Sequence, residues 1–128
     1  MKKLTPVIFV EAIEPCLEFW TRLGFEMTMS IPEGDQLGFA ILASGPVEVM
    51  YQSRASVMKD LPALVQEPFT SRTNLYIEVE SLERVIPRLA GAAIVVPPRK
   101  TFYGAEEIGV RAPCGTLVLL AQFSGEAS

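Results

Sequence analysis

Residues 5–25, TPVIFVEAIEPCLEFWTRLGF, return in paler form from residue 74 as NLYIEVESLERVIPRLAGAAI. Thr5 aligns with Asn74, Val10-Glu11 with Val79-Glu80 and Ile13-Glu14 with Leu82-Glu83, all at an offset of 69 residues. Each copy begins with a run rich in β-branched and apolar residues and passes into a helical-period stripe that a glycine closes. A chain that repeats one strand-helix unit must pack two copies of it, and this restricts the fold class before composition is considered.

The first copy reads as a complete module. Residues 5–10 form a strand, and Glu14-Pro15 opens a helix, since first-turn amides have no helical acceptor and proline is tolerated there. Ile13, Cys16, Leu17, Phe19, Trp20 and Leu23 make a broad apolar stripe, with Gly24 just past the helix end. Strands over 25–31, 37–42 and 47–52 follow, separated by Pro32-Glu33-Gly34-Asp35 and Ser44-Gly45-Pro46 turns. Module one thus spans 4–52 in the order βαβββ. A linker over 53–72 carries a short helical signal at 55–65, interrupted by Pro62 and closed by Pro68.

Module two, 73–123, repeats the order. Ser81 is the N-cap, Leu82, Val85, Ile86 and Leu89 are the buried stripe, and Gly91 closes it. Pro87 inside that stripe removes a hydrogen bond, so this helix is expected to be short or kinked. Strands follow at 94–96, 104–112 and 116–122, with a loop at 97–102 and a turn at Pro113-Cys114-Gly115. The tail after Phe123 is expected to fray.

Composition narrows the function classes. A chain of 128 residues, 49% hydrophobic, can build one core-bearing α+β domain. No apolar run approaches the roughly 18 residues of a membrane span, and no secretory leader pattern follows Lys2-Lys3. Cys16 and Cys114 form no framework, and reduced thiols fit a cytoplasmic protein. The net charge of −4, without clustered Lys or Arg, argues against nucleic-acid binding.

Three pieces in order, Phe19-Trp20-Thr21-Arg22-Leu23-Gly24-Phe25, Gly45-Pro46-Val47-Glu48-Val49-Met50 and Ala112-Pro113-Cys114-Gly115-Thr116-Leu117, make the chain resemble the vicinal oxygen chelate superfamily. That group includes glyoxalase I, extradiol dioxygenases and the bleomycin- and fosfomycin-resistance proteins. The resemblance covers about residues 4–123. It implies two tandem βαβββ modules in a curved, cupped mixed sheet with helices outside. In metal-using members it implies ligands at the positions of Thr5, Glu48, Asn74 and Leu119. Only Glu48 is a good ligand, and the sequence has no histidine for a Zn, Ni or Fe site. No metal or other cofactor is therefore expected.

Period-two alternation assigns the remaining candidates. Leu75, Ile77 and Val79 face the helix and leave Asn74, Tyr76 and Glu78 on the other face. Elsewhere the same rule groups Glu48 with Met50 and Gln52, and Glu107 with Gly109 and Arg111. Phe9, Glu48, Met50, Gln52, Asn74, Tyr76, Glu78, Glu107 and Arg111, with Leu119, are the expected lining of a mostly apolar hollow with a few polar groups. Solvation of a half-exposed sheet yields the same alternation, and a one-residue slip would reverse every face. Glu106-Glu107 does not read as a catalytic pair, because strand neighbours point to opposite faces. Cys114 lacks a histidine partner for nucleophilic work, Cys16 and Trp20 read as core, and Arg99-Lys100 with Phe102-Tyr103 reads as a solvated loop.

Three functions fit these features. One is a metal-free homodimeric protein of the bleomycin-resistance kind, binding a small organic ligand, cationic or amphipathic to suit the inward glutamates. Another is a glyoxalase-like lyase or isomerase, or a dioxygenase relative, with carboxylates around Glu48 holding Mg or Mn. The last is a non-catalytic module for dimerisation or regulation.

Overall fold

The repeat is built twice over in a computed structural model, which describes residues 3–64 and 74–124. The chain divides into two compact units, Met1–Ser71 and Arg72–Ser128. Unit 1 contains β1 (Val7–Val10), α1 (Glu14–Arg22), β2 (Glu26–Glu33), β3 (Gln36–Ser44), β4 (Val47–Ser53) and α2 (Arg54–Asp60), then a 3-10 turn at Pro62–Leu64. Unit 2 contains β5 (Leu75–Glu78), α3 (Leu82–Val85), β6 (Ala93–Lys100), β7 (Ala105–Arg111) and β8 (Leu117–Phe123). Each unit holds a four-stranded mixed sheet, ordered β1-β4-β3-β2 and β5-β8-β7-β6. The first strand of each runs parallel to the last, and the other pairings are antiparallel. The fold is α+β, as the sequence leads one to expect.

In unit 1, Ile13 at the N-cap and Cys16, Phe19 and Trp20 on α1 are buried, as are Val10, Ala40, Leu42, Val49 and Tyr51 of the sheet. Trp20 is the centre of this core. Its ring meets Phe19 and Phe25 edge-on, with centroids at 5.3 and 4.9 Å, and its Nε1 donates to the Tyr51 hydroxyl at 2.7 Å. Gly24 adopts φ +93°, and backbone bonds from Leu23, Gly24 and Phe25 to Trp20 and Thr21 close the helix there. The expected linker begins inside this unit, because Ser53 Oγ accepts from Ser56 N to cap α2 and Val57 is fully buried. The closing part of that linker, including Pro68, lies outside the described residues.

In unit 2, Leu82 and Leu89 are buried together with Ile108, Val110, Val118 and Leu120. Pro87 acts as expected: α3 stops at Val85 and a 3-10 turn continues over Ile86–Leu89. One expectation is corrected. Residues 97–100 are not loop but the end of β6, which runs on through Pro97 and Pro98. An edge strand can accept prolines because one side of its ladder needs no donors, and the register slips between Val96 and Arg99.

Gly109 lies in a row across this sheet, paired with Val96 on one side and Leu119 on the other. A Cβ there would stand 2.9 Å from both Cβ and Cγ2 of Val96 and 3.1 Å from Leu119 Cδ2. Gly109→Ala is therefore expected to lower stability by roughly 1–3 kcal/mol through overpacking. Urea denaturation reads the shift, and an unchanged midpoint would mean that the strands have room to spread.

Candidate functional site

The sheet registers decide which side chains share a face. In unit 1, Val7 pairs with Met50 and Phe9 with Gln52, while Phe39 and Ile41 pair with Gln52 and Met50 from the other side. Met29 and Ile31 continue the rows on β2. All lie on the face opposite α1, since Val49 and Tyr51 of β4 point into the core. Val7, Met29 and Ile31 remain 45%, 42% and 50% exposed, and Phe9, Phe39, Ile41 and Met50 are half-buried among them. Glu48 stands at the margin of this apolar face, 2.6 Å from Lys3 Nζ. Gln52 is buried and committed locally: its amide nitrogen donates to Ser56 Oγ at 3.0 Å and Asp60 Oδ2 at 3.4 Å, tying β4 to α2.

In unit 2, Tyr76 and Glu78 of β5 share a face with Leu119, Gly109 and Glu107, opposite Leu82 and Leu89. Exposed Asn74 precedes β5, and Arg111 bends to the Gly115 carbonyl at 2.9 Å. Two of the expected residues, Tyr76 and Glu107, meet directly. The Glu107 side chain is wholly buried, and its Oε2 accepts from Tyr76 at 2.6 Å and from Tyr103 at 2.5 Å. Arg99 Nη2 reaches Oε1 at 2.9 Å. Burial acts to raise the Glu107 pKa, but the hydroxyls of Tyr103 and Tyr76 and the Arg99 guanidinium outweigh it. They hold the carboxyl below its ordinary value. For Tyr76, donation to Glu107 is the leading cause of a raised pKa, with burial and Tyr103 adding to it, so its hydroxyl stays protonated.

Arg99 and Tyr103 are the members of this cluster that sequence reading leaves in a solvated loop. The Pro97-Pro98 pair hides the strand, and with it the pairing of Arg99 with Glu107 across the β6–β7 hairpin.

Among the described residues, the donor set for a metal does not assemble within either unit. Leu119 pairs with Tyr76, and the counterpart of Tyr76 in unit 1 is Val7, whose partner is Met50. The unit 1 equivalent of Leu119 is therefore Met50 and not Glu48, which corrects the sequence-based correspondence by two residues. Glu48 is paired with Lys3 and Glu107 has three donors. Among the described residues no three His, Cys, Asp or Glu side chains gather where an ion would sit. Among the described residues, neither unit by itself gathers the donors that a catalytic divalent ion of the N/O kind takes.

Comparison with known proteins shows which of them share this fold. Solved structures share the fold over nearly the full length. A glyoxalase/bleomycin resistance protein/dioxygenase family enzyme from Burkholderia phytofirmans PsJN superposes with a TM-score of 0.76 at 18% identity, covering 93% of this chain and 96% of that one. TioX from Micromonospora sp. ML1 gives 0.72 at 19% identity, covering 96% and 99%. A bleomycin resistance determinant encoded on the transposon Tn5 gives 0.68 at 18% identity, covering 97% and 99%. The protein has the fold of these glyoxalase/bleomycin resistance/dioxygenase proteins. No protein-family model matches the sequence, and no curated protein sequence matches it.

Proposed function

We propose that this protein binds a small organic molecule, apolar over most of its surface and bearing a cationic group, on the unit 1 sheet face that turns away from α1. The observation that carries this reading is the row of Val7, Met29 and Ile31, each between 42% and 50% exposed, flanking half-buried Phe9, Phe39, Ile41 and Met50. Contiguous exposed apolar surface of this kind marks a binding face. Glu48 at its margin offers a carboxylate, and the Lys3 partner is 56% exposed, so a ligand cation can replace it at little cost. The net charge of −4 favours the approach of a cation. That a bleomycin resistance determinant has a like fold supports the choice of bleomycin as one probe. Within this reading the protein is a cytoplasmic homodimer that sequesters its ligand without a metal.

Isothermal titration with bleomycin and with ethidium, a planar aromatic cation, tests the proposal. Saturable heat is expected from at least one of them, weakening as salt screens Glu48. Ile31→Lys and Val7→Lys are expected to weaken it by about tenfold or more, because each removes apolar contact and adds a like charge. Silence with both probes, or unchanged affinity in both variants, overturns the reading.

A further inference from the structure

The two units differ at one end of their sheets. Gly109 pairs with Leu119 as Ile41 pairs with Met50, so Glu106 of β7 answers to Gly38 of β3, and Ala105 to Leu37. In unit 1 this end is closed. A Cβ at Gly38 would stand 2.8 Å from Glu33 Cβ and 3.3 Å from Ser56 Cβ of α2. Beside it, Glu14 Oε2 accepts from Leu37 N at 2.7 Å. In unit 2 the Ala105 amide donates to Thr101 Oγ1 at 3.0 Å instead, which leaves Glu83, the counterpart of Glu14, without that bond. No counterpart of α2 follows β8 among the described residues. At this end unit 2 has a hollow of about 520 Å³, with Leu82, Glu83, Ile86, Pro98, Lys100 and Glu106 in its lining.

Glu106 leaves β7 on the side of Ile108 and Val110, which are buried together with Leu82, and Lys100 is its partner in register on β6. Both therefore stand on the α3 side of the sheet, away from the Glu107 carboxylate, which takes no part. Lys100 and Glu106 are paired in register, yet among the described residues neither they nor Glu83 form a salt bridge. Apolar surface from Leu82, Ile86 and Pro98 thus shares the hollow with two unbridged carboxylates and one unbridged ammonium.

We infer that this hollow binds a diamino monocarboxylic acid, a molecule with two ammonium groups and one carboxylate on a short aliphatic chain. The charges match one for one: Lys100 takes the carboxylate, and Glu83 and Glu106 take the two ammonium groups. The methylenes lie on Leu82, Ile86 and Pro98, and the hollow falls within the roughly 300–1,000 Å³ usual for small-molecule sites. A monoamine leaves one carboxylate unmet, and a diamine leaves Lys100 unmet. The site is separate from the unit 1 face, since it uses residues of the other unit.

L-lysine is the probe. Cadaverine, which lacks the carboxylate, and ε-aminocaproate, which lacks the α-ammonium, are the controls. Isothermal titration of the full chain at low salt is expected to show L-lysine binding about three- to fivefold more tightly than either, the effect of one exposed ion pair. Lys100→Gln should remove the preference over cadaverine, and Lys100→Arg should restore it. Glu83→Gln and Glu106→Gln should each weaken L-lysine by a similar factor. All three side chains are exposed, so these variants keep the fold. Ile31→Lys, on the unit 1 face, should leave L-lysine binding unchanged. No saturable binding of L-lysine overturns the inference, as does equal binding of cadaverine or an unchanged affinity in Lys100→Gln. Loss of L-lysine binding in Ile31→Lys also overturns it, because the ligand would then sit on the other unit.

Discussion

Trp20→Ala is expected to lower the stability by roughly 3–5 kcal/mol, the usual cost of truncating a buried aromatic residue to alanine. Trp20 is 1% exposed and touches Phe19, Phe25 and Tyr51 at once, so no single neighbour can move in to fill the space. The loss takes a large share of the 5–15 kcal/mol typical of a domain. Trp20→Phe separates two contributions. It keeps much of the ring contact but removes the Nε1 donation to Tyr51, and a loss of roughly 1–3 kcal/mol is expected. Far-UV circular dichroism in urea is the appropriate measurement, because Trp20 is the only tryptophan and both variants abolish the fluorescence signal. A midpoint for Trp20→Ala within error of the wild type would mean that the α1 core does not hold unit 1 together.

Glu107→Gln is expected to change both stability and its dependence on pH. The carboxylate is depressed below its ordinary value of about 4.5 in the folded protein. A group of this sign contributes stability that is fully present above the unfolded value and is lost as pH falls through the lower folded value. The wild type should therefore exceed the variant by roughly 1–3 kcal/mol above about pH 4.5. The difference should narrow steadily below that point. The loss stays this small because Tyr76, Tyr103 and Arg99 are each about half-exposed and can turn to water when the acceptor weakens. Glu11 is also depressed, chiefly through its hydrogen bond from Arg54, but that pair is exposed and screened. Urea titrations of both proteins between about pH 3 and 7 check the assignment, and parallel acid limbs would place the acid sensitivity elsewhere.

Much of the architecture is legible in the chain, and the reasons are local. The stripe from Ile13 to Trp20, the proline at the helix start and Gly24 at its end act within a few residues of one another. Their outcome does not wait on tertiary contacts. The two-residue alternation also places Tyr76 with Glu78 and Glu48 with Met50, because one buried face of each sheet forbids a slip. Legibility fails where a local rule has a tertiary exception. Pro97 and Pro98 read as loop, yet β6 accommodates them because it lies at the sheet edge, a position known only once strand order is known. Gln52 reads as a lining residue, yet α2 folds back and takes its amide.

The repeat beginning at Thr5 and Asn74, with the helix stripes and turn residues between its strands, determined that the chain builds two βαβββ units and which face of each strand is apolar. Alternation alone put Tyr76 and Glu107 on one face, but it carries no information about which of them touch. Tertiary structure decided that Glu107 is buried rather than open to ligand, because Tyr76, Tyr103 and Arg99 converge on it from β5, a turn and an edge strand. It also decided that Met50, not Glu48, stands level with Leu119, since register is set by pairing across strands distant in sequence. Burial and charge pairing depend on such long-range contacts, and a period in the sequence records only the direction in which each side chain leaves its strand.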